Sequence, residues 1–413
     1  MINSINVYES GQVIEQINRS YILSAMLNQM APEDYQEGVL SVTEKTQYYE
    51  DTFAGVQALG KAGGKTLIVF NGAANLNTGG QAASGTKECT VTLSCSLNLP
   101  IGIFNTNRPL FTSLYGTIGI DILFNGWSEF LCFSPSLAGN VGASQMSNNT
   151  HASFNSGLQY KITDIQLRYD LLTLSDEFQS MMLGSINEMG KFEYPYNSYR
   201  TYESQLTNAT RQVIKVSGTS GSILESLTFG FIQFPSTDAQ CPSQSFFTSM
   251  GLKSFYLQVG GLRIPNRDIS CMESSDAVDS ALPYGVAALT AGASQNSVEN
   301  ESDSYVEMCK ASNIFKSYQV GVKGGTLNLV ESTNTATGPA QVYRGKKRRL
   351  YSYSFQQSYD SEVVSGFVLG DSSELSVILE FAYPPEPGTR MYTVLNYAQK
   401  LIVDASGKVY NQL

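Results

Sequence analysis

Histidine is almost missing from this chain of 413 residues: the one present is His151, in SNNTHAS. Any Ser–His–Asp or Cys–His arrangement would have to use it, yet no GxSxG frames a candidate serine and there is no HExxH. One histidine among scattered carboxylates is too little for an ordinary metal site. The six cysteines, Cys89, Cys95, Cys132, Cys241, Cys271 and Cys309, form no CxxC pair. Their spacing fits no zinc pattern, and they are too sparse for a disulfide framework. Met1–Ser10 has no positive stretch followed by an apolar core, so reduced, buried thiols are expected. The Asn-x-Ser/Thr sequons at Asn18, Asn148, Asn208 and Asn300 carry no weight without a secretory route. No run of about 18 apolar residues exists, so no transmembrane helix is expected. Catalytic, cofactor-binding and metal-binding residues are therefore all expected to be none.

Charge is also scarce. Charged residues make up 15%, against about 25% for an average soluble domain. A surface so poor in charge fits extensive burial against partners, and it fits equally a free surface rich in Ser, Thr and Asn. The 26 basic and 36 acidic residues leave a net charge of −10, which argues against wrapping nucleic acid. The one dense basic run is Lys346–Arg349 (GKKRRL), readable as a solvated turn or as a contact for nucleic acid, lipid headgroups or an acidic partner. A stretch that looks like a phosphate loop, ALGKAGGKT (58–66), has Leu59 where the first glycine should stand, and it precedes a strand instead of following one.

What the chain does have is 36 glycines, 24 tyrosines and 20 phenylalanines, the mixture of short strands and polar turns. Strand character is expected over Gly38–Gly55, Lys65–Asn71 and Glu88–Leu99, where Cys89, Val91, Leu93, Cys95, Leu97 and Leu99 share a face. Thr117–Asn125 alternates likewise and leads through Asn125-Gly126 into a partner strand at Glu129–Phe133. Beyond residue 207, strands are expected on both sides of the Gly-Thr-Ser-Gly turn in 211–234, in Leu252–Val259 and Leu262–Pro265 around Gly260-Gly261, and in Tyr318–Gly325 and Leu327–Glu331. Further strands are expected at Leu350–Gln356, Val363–Leu369, Leu375–Tyr383, Met391–Tyr397 and Lys400–Val403. Ser10–Met30, with Val13, Ile14, Ile17, Tyr21, Met26, Leu27 and Met30, reads as an amphipathic helix whose polar face holds Gln12, Glu15, Gln16, Asn18 and Arg19. A short helix is expected within Glu301–Phe315.

The hinge of the chain is Ile162–Tyr202. It starts as the strand ITDIQLRYDLLTL and passes into a helical piece, Ser175–Met189, that Ser175 can cap. It leaves through KFEYPYNSYRTY. Strands without alternating helices exclude a parallel βαβ sheet. Seven to nine strands on either side of the hinge suit repeated eight-stranded, two-sheet units. The expected fold is all-β: two tandem jelly rolls with short helices and an N-terminal amphipathic helix. The expected divisions are an N-terminal helical arm (1–37), a first jelly roll (38–174), a linker with a short helix (175–206) and a second jelly roll (207–413). Paired carboxylates for glycoside hydrolysis are the enzymatic alternative. Asp121, Glu129, Asp164 and Asp170 lie on or near strands, but Asp164 and Asp170 would stand about 20 Å apart on one strand face.

Three stretches carry a family resemblance: DIQLRYDLLTLSDEF followed by FEYPYNSYRTY; SFYLQVGGLRIPNRDI; and the C-terminal run VVSGFVLGDSSELSVILEFAYPPEPGTRMYTVLNYAQKLIVDASGKVYNQL. With the paired-domain layout, the chain resembles the double jelly-roll major capsid proteins of tailless icosahedral DNA viruses, the lineage of adenovirus, tectiviruses, virophages and polinton-like viruses. The resemblance implies a structural subunit without catalysis, which forms homotrimers that serve as pseudo-hexameric capsomers. It implies contacts with penton and minor capsid proteins, an internal membrane reached through the N-terminal helix, no sequence-specific nucleic acid, and location in the virion after assembly inside the host cell. The reading from a different class is a two-domain carbohydrate-binding or carbohydrate-active β-sandwich. The single Trp127 speaks against it, since sugar platforms favour Trp stacking.

Overall fold

The computed structural model describes residues 2–30, 99–106, 110–111, 116–126, 161–170, 172–216, 223–233, 247, 250–271, 302–311, 350–356, 366–370, 374–381, 384–385, 388–404 and 408–412. These residues form thirteen strands and three α-helices. The all-β expectation holds, and the short helices fall where the sequence places two of them.

The C-terminal half is an eight-stranded jelly roll. Its strands in chain order are β4 (Lys191–Gln205), β5 (Arg211–Val216), β6 (Ile223–Gln233), β7 (Leu252–Val259), β8 (Leu262–Ser270), β9 (Tyr351–Ser354), β11 (Leu375–Phe381) and β12 (Thr389–Asp404). One sheet has the order β4-β12-β6-β9 and the other β5-β11-β7-β8, all antiparallel. Numbered from one to eight, these orders read 1-8-3-6 and 2-7-4-5, the two-sheet, Greek-key pattern of a jelly roll. Two further pieces extend the first sheet. β10 (Phe367–Val368) lies beyond β9 on the same edge of β6, and β13 (Val409–Gln412) pairs with the far end of β12.

Alternation explains the second sheet. In β5 the buried residues Gln212, Ile214 and Val216 alternate with the exposed Arg211, Val213 and Lys215. β11 points Leu375, Val377, Leu379 and Phe381 into the core. The turn between β7 and β8 is Gly260-Gly261, both at positive φ (52° and 92°), which suits the twist of a two-residue hairpin. β5 and β6 do not form a hairpin across the 217–222 connection; they belong to opposite sheets. β12 is continuous through Ala398 and Gln399, where the sequence suggests a break. Residues 390–404 pair with 205–191 of β4, so the antiparallel ladder runs through these positions without interruption. Pro195 sits in β4, an edge strand of its sheet among the described residues, where its missing N–H is tolerated.

Between the sheets lies a core of aliphatic side chains around an aromatic centre. Phe229 meets Phe255 edge-on at 5.0 Å, Phe231 at 5.7 Å, and stacks on Tyr351 at 5.4 Å.

The N-terminal residues depart from expectation. Gln12–Asn18 is not helical. It is strand β2, and Ile2–Glu9 forms β1, which the sequence reading missed. They make a hairpin through Ser10-Gly11, both at positive φ (45° and 87°). The helix begins only at Ser20, as α1 (Ser20–Met30), after Arg19 turns the chain at φ 51°. Ile14 and Ile17 do face the core, but from a strand. Three-residue spacing over so short a piece fits either period once a bulge or a turn intervenes. β3 (Ile118–Phe124) completes a three-stranded sheet, β2-β1-β3. Its partner is β1; Glu129–Phe133 lies outside the described residues, as do 38–55, 65–71, most of 88–99, 318–325 and 327–331.

Ile162–Leu174 also differs. Its described residues take no regular structure, and Ile165, Leu167, Tyr169 and Leu172 are exposed. α2 (Asp176–Met189) follows as expected. Ser175 caps it, accepting from the Phe178 N–H, and Gly190 closes it in the left-handed conformation (φ 74°). The residues after it are no bare linker, since β4 is the first jelly-roll strand. α3 (Ser302–Ala311) lies within the expected helical stretch and packs against β9, β6 and β8.

Candidate functional site

The N-terminal strands meet the jelly roll at one junction. Tyr194 and Tyr196 of β4 and Leu401 and Val403 of β12 share a second core cluster with Ile5 and Val7 of β1, Ile14 and Ile17 of β2, and Ile22, Leu23 and Met26 of α1. Helix α1 thus turns its apolar face inward.

At the centre of the junction is Glu15. It reads as part of a polar face in the sequence, yet only 3% of it is exposed. Its Oε1 accepts from the Gly102 N–H (3.0 Å) and the Ser198 hydroxyl (2.7 Å), and its Oε2 accepts from the Ile103 N–H (3.1 Å). Residues 102–104 form one turn of 3-10 helix, whose first N–H groups have no partner within the turn. One carboxylate therefore joins β2, β4 and a segment 87 residues away. Burial pushes its pKa above the ordinary 4.5, against the pull of the three donors. Gly102 is required here because a Cβ would lie 1.7 Å from the Asn197 carbonyl oxygen. A second buried carboxylate, Glu225, accepts from Asn197 (2.5 Å) and Asn396 (3.4 Å). Burial, with both carboxylates near, pushes the Tyr199 hydroxyl up to about 12.

An ion pair network ties the rim of the junction. Glu203 of β4 binds Arg19 (2.7 Å) at the turn before α1 and Arg390 of β12 (2.5 Å). Glu203→Ala is expected to lower stability by about 1 kcal/mol, the upper range for partly exposed pairs, and to do so less at high salt. A thermal melt whose midpoint falls equally at low and high salt would remove charge from the explanation. Beside this network, β2, β4 and β12 line a cleft of about 320 Å³, in which the Arg200 guanidinium sits 4.8 Å over the Tyr397 ring.

Chemically, the junction fastens. Glu15 turns both oxygens to donors that hold the fold. Among the described residues no group of three or more His, Cys, Asp or Glu could hold a metal ion. Asp121 is exposed on β3 opposite Asn6. Asp164 and Asp170 are exposed, and Asp164 accepts from the Gln166 side chain. Cys271 and Cys309 are buried, and the Cys271 thiol donates to the Ile269 carbonyl (3.7 Å). His151, Glu129, Lys346–Arg349, residues 58–66 and the remaining four cysteines lie outside the described residues. Among the described residues, no helix is long and apolar enough to cross a membrane.

No protein-family model matches the chain, and no curated protein matches it. Solved structures resemble it at low identity. The structure of the Sputnik virophage matches at 13% identity and a TM-score of 0.49, over 100% of this chain and 74% of that one. The capsid of the virus PBCV-1 matches at 10% identity and a TM-score of 0.41, over 100% and 83%. The major capsid protein of mavirus matches at 10% identity and a TM-score of 0.25, over 54% and 42%. At these identities and TM-scores the likenesses are observations only, and the functional reading rests on the chain's own features.

Proposed function

We propose that this chain is a viral major capsid protein, a structural subunit that forms homotrimers and tiles an icosahedral shell as pseudo-hexameric capsomers. The observation that carries this reading is where the family-like stretches fall. FEYPYNSYRTY is β4, the first strand of the jelly roll. SFYLQVGGLRIPNRDI spans the β7–β8 hairpin. The C-terminal run supplies β10 to β13. Apart from DIQLRYDLLTLSDEF, which is irregular up to α2, the stretches that resemble the capsid family are strands that build the two-sheet unit.

Residues 38–174 would form a first jelly roll beside the second. Penton and minor capsid proteins would be partners, and the virion the location. The charge-poor composition suits a subunit most of whose flanks are covered by neighbours, since large permanent interfaces are depleted in charge.

Light scattering after size exclusion tests it. The expected species is three times the 45.0 kDa chain, with a hexagonal outline in negative stain. A monomer that stays monomeric at high concentration overturns the proposal.

A further inference from the structure

Strand β2 crosses one face of the β4–β12 pair. The Tyr196 hydroxyl donates to the Ile14 carbonyl (3.2 Å), and the Ser198 hydroxyl donates to Glu15 (2.7 Å). The register sets Tyr196 opposite Gln399, Ser198 opposite Tyr397 and Arg200 opposite Leu395. Alternate residues of a strand share a face, so Arg200, Tyr397 and Gln399 stand on the face that β2 crosses. All three line the cleft of about 320 Å³ beside β2, and the exposed Gln16 and Asn18 stand at its rim. That volume lies at the small end of the range for ligand pockets.

Two groups in this cleft call for a ligand. Gln399 is only 7% exposed, yet its Oε1 has no hydrogen-bond partner among the described residues. A buried acceptor without a donor is costly. Arg200 brings a cation. Its guanidinium lies over the Tyr397 ring and donates to the Tyr202 and Tyr397 hydroxyls. A guanidinium carries five donors in a fixed fork, so it can hold these hydroxyls and grip an anion as well. Residues two apart on a strand stand roughly 7 Å from each other. The Arg200 head, over Tyr397, and the Gln399 amide are therefore spaced for the two ends of one small molecule. The other charged group of the lining, Glu15, turns both oxygens to the Gly102, Ile103 and Ser198 donors.

We propose that this cleft binds a small hydroxycarboxylate, a hydroxy acid or sugar acid, with its carboxylate on the Arg200 guanidinium and a hydroxyl donating to Gln399 Oε1. The ligand needs both parts. A simple carboxylate would pair with Arg200 and leave Gln399 Oε1 without a donor. A neutral sugar would supply that donor but gain nothing from the charge of the guanidinium. The cleft lies within one copy of the chain, so this inference stands or falls separately from the capsid reading.

Calorimetric titration of the full chain provides the test, with glucuronate as the probe. Glucuronate is expected to bind saturably. Glucose and acetate, each lacking one half of the ligand, are expected to bind at least about tenfold more weakly. Arg200→Gln is expected to reduce glucuronate to the level of glucose, and Gln399→Met to the level of acetate. The comparison of probes on the wild-type chain needs no variant, so it decides the matter even where a variant fails to fold. Acetate or glucose binding as tightly as glucuronate overturns the proposal, because one half of the ligand would then suffice. Binding that both variants leave unchanged lies elsewhere on the chain and overturns it too. No saturable binding of glucuronate means that water alone fills the cleft, and the inference fails.

Discussion

Replacing Phe229 by alanine is expected to cost roughly 3–5 kcal/mol, the range for removing a fully enclosed aromatic ring. Phe229 is inaccessible to solvent and touches aromatic rings from both sheets: Phe231 on its own strand, Tyr351 on the adjoining β9, and Phe255 on β7 across the core. Its loss removes apolar burial and two edge-on contacts, and it leaves a cavity that the three neighbouring rings cannot readily fill. For a unit of this size, each kcal/mol moves the thermal midpoint by about 2–4 °C, so a drop on the order of 10 °C should be visible by calorimetry. Leu262→Ala, at an exposed position on β8, should change stability by no more than about 0.5 kcal/mol. Similar losses for the two variants would mean that the sheets do not close on Phe229.

The second large effect is expected at Glu15. Glu15→Leu strands the N–H groups of Gly102 and Ile103 and the Ser198 hydroxyl in a buried place. Each orphaned donor costs about 1–3 kcal/mol, so the N-terminal strands are expected to detach from β4 before the jelly roll melts. Protease cleavage within residues 2–30 under native conditions would report that detachment, and full protection would refute it. Gly102→Ala should give the same outcome through a clash with the Asn197 carbonyl. Glu15→Gln separates charge from shape. The folded-state pKa of Glu15 is raised above 4.5, so the folded protein holds its proton more tightly than the unfolded chain. The stabilisation this provides is complete below pH 4.5 and is lost as pH rises through the raised value. Glu15→Gln should lack this component. The gap between wild type and Gln is therefore expected to narrow as pH rises across that window; a constant gap would mean that Glu15 does not titrate there.

Local chemistry made part of this fold readable. Gly260-Gly261 announces the β7–β8 turn because few other residues accept two positive φ angles in succession. Ser175 announces the start of α2 because its hydroxyl can reach an otherwise free N–H. β11 alternates cleanly because one of its faces is buried in the aromatic core. The N-terminal hairpin was hidden for the opposite reason. In INSINVYE only Ile5 and Val7 alternate, and Val13, Ile14, Ile17 and Tyr21 fit a helical stripe as well as two short elements. The Glu15 hub left no local signal at all, since its donors come from residues 102, 103 and 198. Its position beside Gln16 and Asn18 even suggests solvent. Alternation alone also overcalled Ile162–Leu174: a strand needs partners as well as a pattern, and the described residues give it none.

β12 has a consequence for the order in which the protein can be made. It is made some two hundred residues after β4, yet it is the strand on which the first sheet depends, with β4 on one side and β6 on the other. Arg390 meets Gln205, and Asp404 meets Lys191, across some two hundred residues of intervening chain. Until β12 is made, the edges of β4 and β6 that it covers are bare and the aromatic core has no floor. Such long-range closure is slow and leaves half-made sheets open to wrong pairings. The first sheet is committed only once β12 is in place, so sparing its waiting edges from one another becomes a task for the cell as much as for the sequence.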